Sequence, residues 1–291
     1  MSQILEGKTA LITGSSSGIG KALAIGFAKY GADIIVTGRN QERMDETKKE
    51  IESAGKKAIT VAANIHNYDE CAKVVKAGIE KFGHLDILIN NAGYSRLYPI
   101  THRKLTPEII DNILKTNVLG PYYFSHASIP YLIEAGGGSI LNTGSLAVLT
   151  PMPGWVAYVM SKSSISGFTQ ALAVELKPRN INVNTIMPRM VRTPMLHGMS
   201  EEMINAMNPM KPESLVDFYA FFATEDGKKS TGLNVRVDLI ESVLNLAGQI
   251  PKDQEVTWES VNKFVEEKVK TDDFKEIKKY KKLINFLLRN S

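Results

Sequence analysis

Short runs of apolar and β-branched residues alternate, as far as about Asp238, with longer stretches whose apolar positions recur at helical spacing. The runs lie at 9–13, 33–37, 58–61, 85–89, 139–143, 182–186 and 233–237. Several are apolar almost throughout, the pattern of strands covered on both faces. Between them lie helical stretches such as 21–30 and 41–54, and Gly31, Gly55 and Gly83 stand where helices should stop. This alternation predicts the α/β class: a doubly wound parallel sheet of about seven strands, helices on both faces and right-handed crossovers.

Beyond Asp238 the alternation ends. Val261, Phe264, Val265 and Val269 have helical spacing, as do Ile277, Tyr280, Ile284, Leu287 and Leu288, so two amphipathic helices are expected. The chain therefore reads as an α/β domain over 1–240 and a helical extension over 241–291. The apolar faces of the extension are expected to pack on the parent domain or on a second subunit. A partner-binding helix is the alternative, and the mixed charge argues against a membrane surface.

Composition narrows the function classes. The 291 residues carry 35 Lys and Arg against 31 Asp and Glu, a net charge of +4, which is too small an excess to signal nucleic acid. The one cysteine, Cys71, allows no intramolecular disulfide and suits a reducing compartment. The first residues show no secretory pattern, and no stretch approaches the length of a membrane span, so a cytoplasmic protein is expected. The five histidines, His66, His84, His102, His126 and His197, share no ligand spacing with one another or with Cys71, and no metal is expected.

Candidate chemistry starts where the first run ends, in Thr13, Gly14, Ser15, Ser16, Ser17, Gly18, Ile19 and Gly20, followed by a helical stretch. A strand that passes through a Gly/Ser loop into a helix gathers backbone N–H groups at the positive end of the helix dipole, which suits a pyrophosphate. The competing reading is a plain Gly/Ser turn. About 20 residues on, the second run ends in Gly38 and Arg39. An acidic residue there would bind a ribose 2′-hydroxyl, whereas an arginine accommodates a 2′-phosphate. NADP(H) is therefore expected over NAD(H), which remains possible, unless Arg39 is only a solvated loop cation. Farther along, Tyr158 and Lys162 are four residues apart on an expected helix and so share a face. A free phenol has a pKa near 10, and a neighbouring ammonium would lower it toward useful acid–base chemistry.

These residues, with Asn90 to Gly93, Asn117, Gly144, Ser145 and the stretch 182–193, resemble the short-chain dehydrogenase/reductase family over about residues 6–238. Within it the chain looks most like the 3-oxoacyl-acyl-carrier-protein reductases and related alcohol or polyol dehydrogenases. The resemblance implies a Rossmann-like sheet, a small carbonyl or alcohol substrate, and a homodimer or homotetramer. It implies that Tyr158 donates the proton to a substrate carbonyl, Lys162 lowers the Tyr158 pKa and holds the nicotinamide ribose, Ser145 polarises the substrate oxygen, and Asn117 positions a water. It assigns Gly14, Ser16, Ser17, Gly18, Ile19, Gly20 and Arg39 to the cofactor, together with Asn64, Ile65, Asn91, Ala92 and Gly93. Pro188, Val191 and Thr193 join them, the last two at the nicotinamide carboxamide.

Three departures stand out. Asn64 replaces the usual Asp, Arg189 the usual Gly beside the nicotinamide, and Leu239 and Ile240 the usual Gly pair near the end. Arg189 is expected to redirect its loop, to recognise an anionic substrate together with Arg192, or to mark lost activity. Met195, Met199, Met203 and Met207 are spaced by four, one helical stripe in the segment that covers the substrate in the family. With Tyr94, Leu97 and Trp155 they favour an apolar carbonyl, a 3-oxoacyl thioester or similar ketone, over a bare sugar. An ordinary buried helix face is the alternative for the stripe. A polyol or sugar-acid dehydrogenase is the second enzymatic reading, and a non-catalytic nucleotide-binding or interaction protein the reading of another class.

Overall fold

A computed structural model describes residues 3–249, 256–268 and 271–290. The expected runs form β1 (Thr9–Thr13), β2 (Asp33–Gly38), β3 (Ala58–Ala62), β4 (Ile87–Asn90), β5 (Gly138–Thr143), β6 (Ile181–Met187) and β7 (Asn234–Arg236). They make one sheet in the order β3-β2-β1-β4-β5-β6-β7. The pairs from β3 through β6 are parallel, with Leu11 of β1 level with Ile35 of β2 on one side and Leu88 of β4 on the other. β1, β4, β5 and β6 are buried along their whole length, as strands with helices on both faces must be.

The crossovers are α1 (Gly18–Lys29), α2 (Gln41–Ser53), α3 (Tyr68–Phe82), then α4 (Pro107–Leu114) leading to α5 (Gly120–Glu134), and α6 (Val156–Leu176). Two shorter helices follow β6, α7 (Glu201–Ala206) and α8 (Val216–Ala223). Gly31, Gly55 and Gly83 follow the ends of α1, α2 and α3 at φ of 106°, 82° and 83°, conformations that a side chain rarely adopts. The chain winds outward from β1 in one direction and returns to place β4 on its other side. The crevice above the carboxyl ends of β1 and β4 is the place where open sheets of this kind bind ligands.

Two compact units divide the chain, Met1–Asn234 and Val235–Ser291. The second contains α9 (Val237–Ala247), α10 (Trp258–Lys268), α11 (Thr271–Lys278) and α12 (Lys281–Asn290). Within it α9 packs against the other three helices, and Val261, Val265, Ile277, Ile284 and Leu287 are buried. Arg236 pairs with Asp238 at 2.7 Å and Asp273 at 3.1 Å, while the Tyr280 hydroxyl donates to Glu276 at 2.7 Å.

Two expectations are corrected here. The second tail helix is broken at Lys279 and Tyr280, which form a tight turn by donating their N–H groups to Glu276 and Ile277, and Tyr280 then accepts the N–H of Ile284 at the start of α12. Its apolar spacing is real, but it belongs to two helices, α11 and α12. Val269, assigned to the first tail helix, lies outside the described residues. The methionine stripe is not one helix either. Met195 sits in a single turn at Pro194–Leu196, Met203 lies in α7, and Gly198 between them adopts φ of 99°. Ser200 then starts α7 afresh by accepting the Met203 N–H at its side chain.

Candidate active site

The loop from β1 into α1 is shaped by its glycines. Gly14 and Gly18 take φ of 66° and 54°, and a Cβ on Gly20 would stand 2.4 Å from the Gly14 carbonyl oxygen. Ser15 staples the loop to β2, its hydroxyl donating to Ile12 O and accepting from Thr37 N–H. Ser17 is the residue before α1, yet its side chain makes no capping hydrogen bond. The first turn of the helix therefore keeps its N–H groups for an anion. Ser16, Ser17, Gly18 and Ile19 are partly exposed there. On the far side, the Thr13 hydroxyl accepts the N–H groups of Asn91 and Ala92, and the Asn91 amide donates to Thr13 O. Asn91, Ala92 and Gly93 thus form the second wall of the crevice.

Arg39 is exposed at the end of β2 and lines a cleft of about 250 Å³ with Ala62, Ala63, Asn64 and Glu70. Asn64 carries less freedom than its sequence suggests, because its side-chain oxygen accepts the His66 N–H at 3.1 Å. Glu70 is also engaged, accepting the Asn64 N–H at 2.8 Å. Ile65 is partly buried against the core beside it. A Cβ on Gly120 at the start of α5 would meet its side chain at 2.4 Å, so the two elements are in close contact.

Asn117, Ser145, Tyr158 and Lys162 gather beside the carboxyl ends of β4 and β5. Asn117 lies in a wide π-helical turn at Lys115–Leu119, a form that often marks a working site. It is buried; its side-chain oxygen accepts the Tyr94 N–H, and its amide donates to Tyr94 O and to the Ser161 hydroxyl. Ser161 in turn donates to Tyr158 O at 2.7 Å. The Asn117 side chain is therefore held by Tyr94 and Ser161. The Tyr158 hydroxyl faces the Ser145 side chain, which favours its ionised form. Lys162 is buried, donates to Thr143 O at 2.7 Å, and stands 5.9 Å from the centre of the Tyr158 ring.

The electrostatics differ from the expectation in one respect. Burial pushes the Tyr158 phenol above its usual value, with the Ser145 side chain opposing. Burial brings Lys162 down to about 8. The ammonium is turned to Thr143 O, so its lowering of the Tyr158 pKa is not expressed in this arrangement. Part of Tyr158 reaches the surface, but its hydroxyl lies at the desolvated end. Thr143 and Ser161 went unnoticed in the sequence: one works through a carbonyl, the other is a serine among many. Thr143 is itself braced by the buried Tyr219, whose hydroxyl meets its own at 2.8 Å.

The segment after β6 closes on itself. Pro188 O accepts the Leu146 N–H, and Val191 bridges Met210 through Met210 N–H to Met190 O and Arg192 N–H to Met210 O, both 2.9 Å. Arg192 pairs with Glu201 at 2.9 Å and Arg189 donates to the carbonyl of Asn208. Both arginines thus hook the far limb of their own segment. Thr193 faces the phosphate loop, where a Cβ on Gly18 would stand 3.1 Å from its methyl group. Met195 reaches Gly93, whose Cβ would be 3.4 Å from its terminal carbon.

Residues 8–204 match the family model described as short chain dehydrogenase. The chain belongs to that family. A 3-oxoacyl-(acyl-carrier-protein) reductase of Thermotoga maritima is 34% identical to it over 80% of this chain and 97% of its own. A short chain dehydrogenase from Burkholderia cenocepacia solved in complex with NADP superposes with a TM-score of 0.74 at 33% identity, covering 80% and 97% of the two chains. A 3-ketoacyl-(acyl-carrier-protein) reductase from Brucella melitensis complexed with NADH gives 0.73 at 34%, covering 80% and 97%. This short-chain dehydrogenase is an NAD(P)-dependent oxidoreductase acting on CH–OH groups. The dinucleotide fits the chain's own geometry: the first turn of α1 is left uncapped by Ser17, and Gly14, Gly18 and Gly20 let the loop turn tightly against Ala92, Asn91 and Thr193 so that its backbone N–H groups stay open to a pyrophosphate. Among the described residues, no helix is long and apolar enough to cross a membrane, and no three His, Cys, Asp or Glu side chains are placed to hold a metal ion. Cys71 is buried, and burial pushes its thiol up to about 12, far from reactive.

Proposed function

We propose that this short-chain dehydrogenase interconverts an apolar ketone, of the 3-oxoacyl thioester kind, and its secondary alcohol with NADP(H). The observation that carries the chemistry is the Tyr158 hydroxyl set beside Ser145, with the buried Lys162 5.9 Å from the centre of its ring. Tyr158, kept as a phenol at neutral pH by its burial, donates its proton to the carbonyl oxygen in the reductive direction. Ser145 holds the same oxygen and polarises the carbonyl. Lys162 is charged below about pH 8, and on turning from Thr143 O toward the phenol it would favour the phenolate that forms when Tyr158 gives up its proton. When bound, the nicotinamide supplies the hydride in reduction and takes it up in oxidation. Gly14, Ser16, Ser17, Gly18, Ile19 and Gly20 would hold the pyrophosphate, Asn64, Asn91, Ala92 and Gly93 the adenosine side, and Pro188, Val191 and Thr193 the nicotinamide end.

The preference for the 2′-phosphate rests on Arg39. Its cleft contains one carboxylate, Glu70, and that group is turned to the Asn64 N–H. Arg39→Ala is expected to weaken NADPH binding about ten- to a hundredfold, the worth of a charge-assisted hydrogen bond, and to leave NADH binding unchanged. Fluorescence titration with each nucleotide checks this, and equal losses for the two would refute the assignment.

The apolar character of the substrate rests on the surface around the site. Leu97 and Ile100 after β4, Leu149 and Met152 after β5, and Met195 and Met203 after β6 are all exposed. Large apolar side chains left open on three neighbouring loops mark a site for an apolar ligand. With NADPH, kcat/KM is expected to rise with chain length across a panel of 3-oxoacyl thioesters and ketones and to exceed that for polyols by at least about tenfold. Faster turnover of polyols would overturn the substrate class.

A further inference from the structure

The loop that follows β3 at the Arg39 cleft is joined by side chains to the turn that carries Asn117. Asn64 lines the cleft and accepts the His66 N–H. The His66 ring nitrogen Nε2 is hydrogen-bonded to the Thr116 hydroxyl at 2.8 Å. Thr116 precedes Asn117 in the π-helical turn, and Ile65 touches Gly120 where that turn runs into α5. From Asn117 the path continues through its amide to Ser161 and from the Ser161 hydroxyl to Tyr158 O, both 2.9 Å or shorter. A line of short polar contacts, joined through His66 and through the chain link from Thr116 to Asn117, therefore runs from the Arg39 cleft to the backbone of the proton donor.

We propose that His66 is a positioning residue that couples occupancy of the Arg39 cleft to Tyr158 through Thr116, Asn117 and Ser161. This rests on the cofactor and catalytic roles proposed above. The π-helical turn is the element able to respond, because its wide ring is held by fewer ideal backbone bonds than a regular helix and is fixed instead by Asn117 and, through Thr116, by His66. The histidine is suited to this place. Burial, with Lys115 and Arg39 acting in the same sense and Asp111 opposing, holds its pKa below the usual value, so the ring is neutral at pH 7 and bonds Thr116 as a neutral partner. Spatial continuity alone does not make a coupling, so the test must read one end while only the other is touched.

The test uses the full chain labelled with carbon-13 at the tyrosine rings. The Tyr158 signal is assigned by its loss in Tyr158→Phe, and adenosine 2′,5′-bisphosphate is added to saturation. This probe lacks the nicotinamide half and does not reach Tyr158. The Tyr158 signal is expected to move in the wild type and in His66→Gln, whose amide still reaches Thr116. It is expected to stay in place in His66→Ala and in Thr116→Val at equal saturation. An unchanged response in His66→Ala, or a wild-type signal that does not move at saturation, overturns the coupling. Should the bisphosphate fail to bind, the 2′-phosphate reading falls alone; adenosine 5′-diphosphate then fills the same end and the Tyr158 signal decides by the same criterion. Should neither bind, the coupling falls too.

Discussion

Tyr158→Phe is expected to lower turnover about a thousandfold while NADPH binds within about twofold of the wild-type affinity. The phenyl ring keeps the packing of Tyr158 and removes only the hydroxyl that faces Ser145. No neighbouring group replaces it. Ser145 is a poor acid, and Lys162 is turned to Thr143 O rather than to the space beyond Ser145. The loss therefore falls on kcat and kcat/KM alike, the signature of an interaction made in the transition state. The pH profile of the wild type gives the same argument a second reading. Reduction draws its proton from the Tyr158–Lys162 pair, and burial brings Lys162 to about 8. The rate of reduction is expected to be level below that pH and to fall above it, as the pair loses its charge and its proton in coupled steps. A rate that rises through pH 8, or substantial residual turnover in Tyr158→Phe, would count against this mechanism.

Gly20→Ala is expected to weaken NADPH binding about ten- to a hundredfold although it adds only one methyl group. That carbon would stand 2.4 Å from the Gly14 carbonyl oxygen and 2.5 Å from the Asn91 amide nitrogen. Neither neighbour can yield cheaply. Gly14 is held at φ of 66°, and the Asn91 amide is committed to Thr13 O. The strain must be relieved by moving the loop, which misdirects the N–H groups meant for the pyrophosphate. Gly167 provides the control: a Cβ there meets nothing within 4 Å, so Gly167→Ala should leave binding and melting temperature almost unchanged. Equal NADPH affinity in Gly20→Ala and the wild type would show that this loop does not carry the phosphates.

How much of this was legible in the sequence depends on which atoms do the work. The buried parallel strands were readable because burial on both faces forces continuous apolar runs, and the Gly/Ser loop because glycine most readily takes the positive φ of Gly14 and Gly18. Tyr158 and Lys162 showed themselves by spacing on a helix. Thr143, by contrast, meets Lys162 through a backbone carbonyl, which every residue possesses, and Thr13 supports Asn91 and Ala92 with a hydroxyl that reads as an ordinary strand residue. Arg189 suggested a redirected loop, an anionic substrate or lost activity; its bond to Asn208 O ties it to the far limb of its own segment. The methionine spacing misled because periodicity counts residues and is blind to backbone breaks. Gly198 and the cap at Ser200 interrupt the helix that the spacing implied.

The bridge between Val191 and Met210 has a consequence for how such a protein changes over generations. The closure is made by backbone groups, so it does not depend on which side chains lie between. The intervening residues share no register with the sheet, and lengthening a closed loop costs little: doubling it adds only about 0.6 kcal/mol. Insertions, deletions and exchanges there can reshape what enters the crevice while the strands beneath keep their alignment. The segment is thus a place where the length of the chain can change at little cost to the sheet.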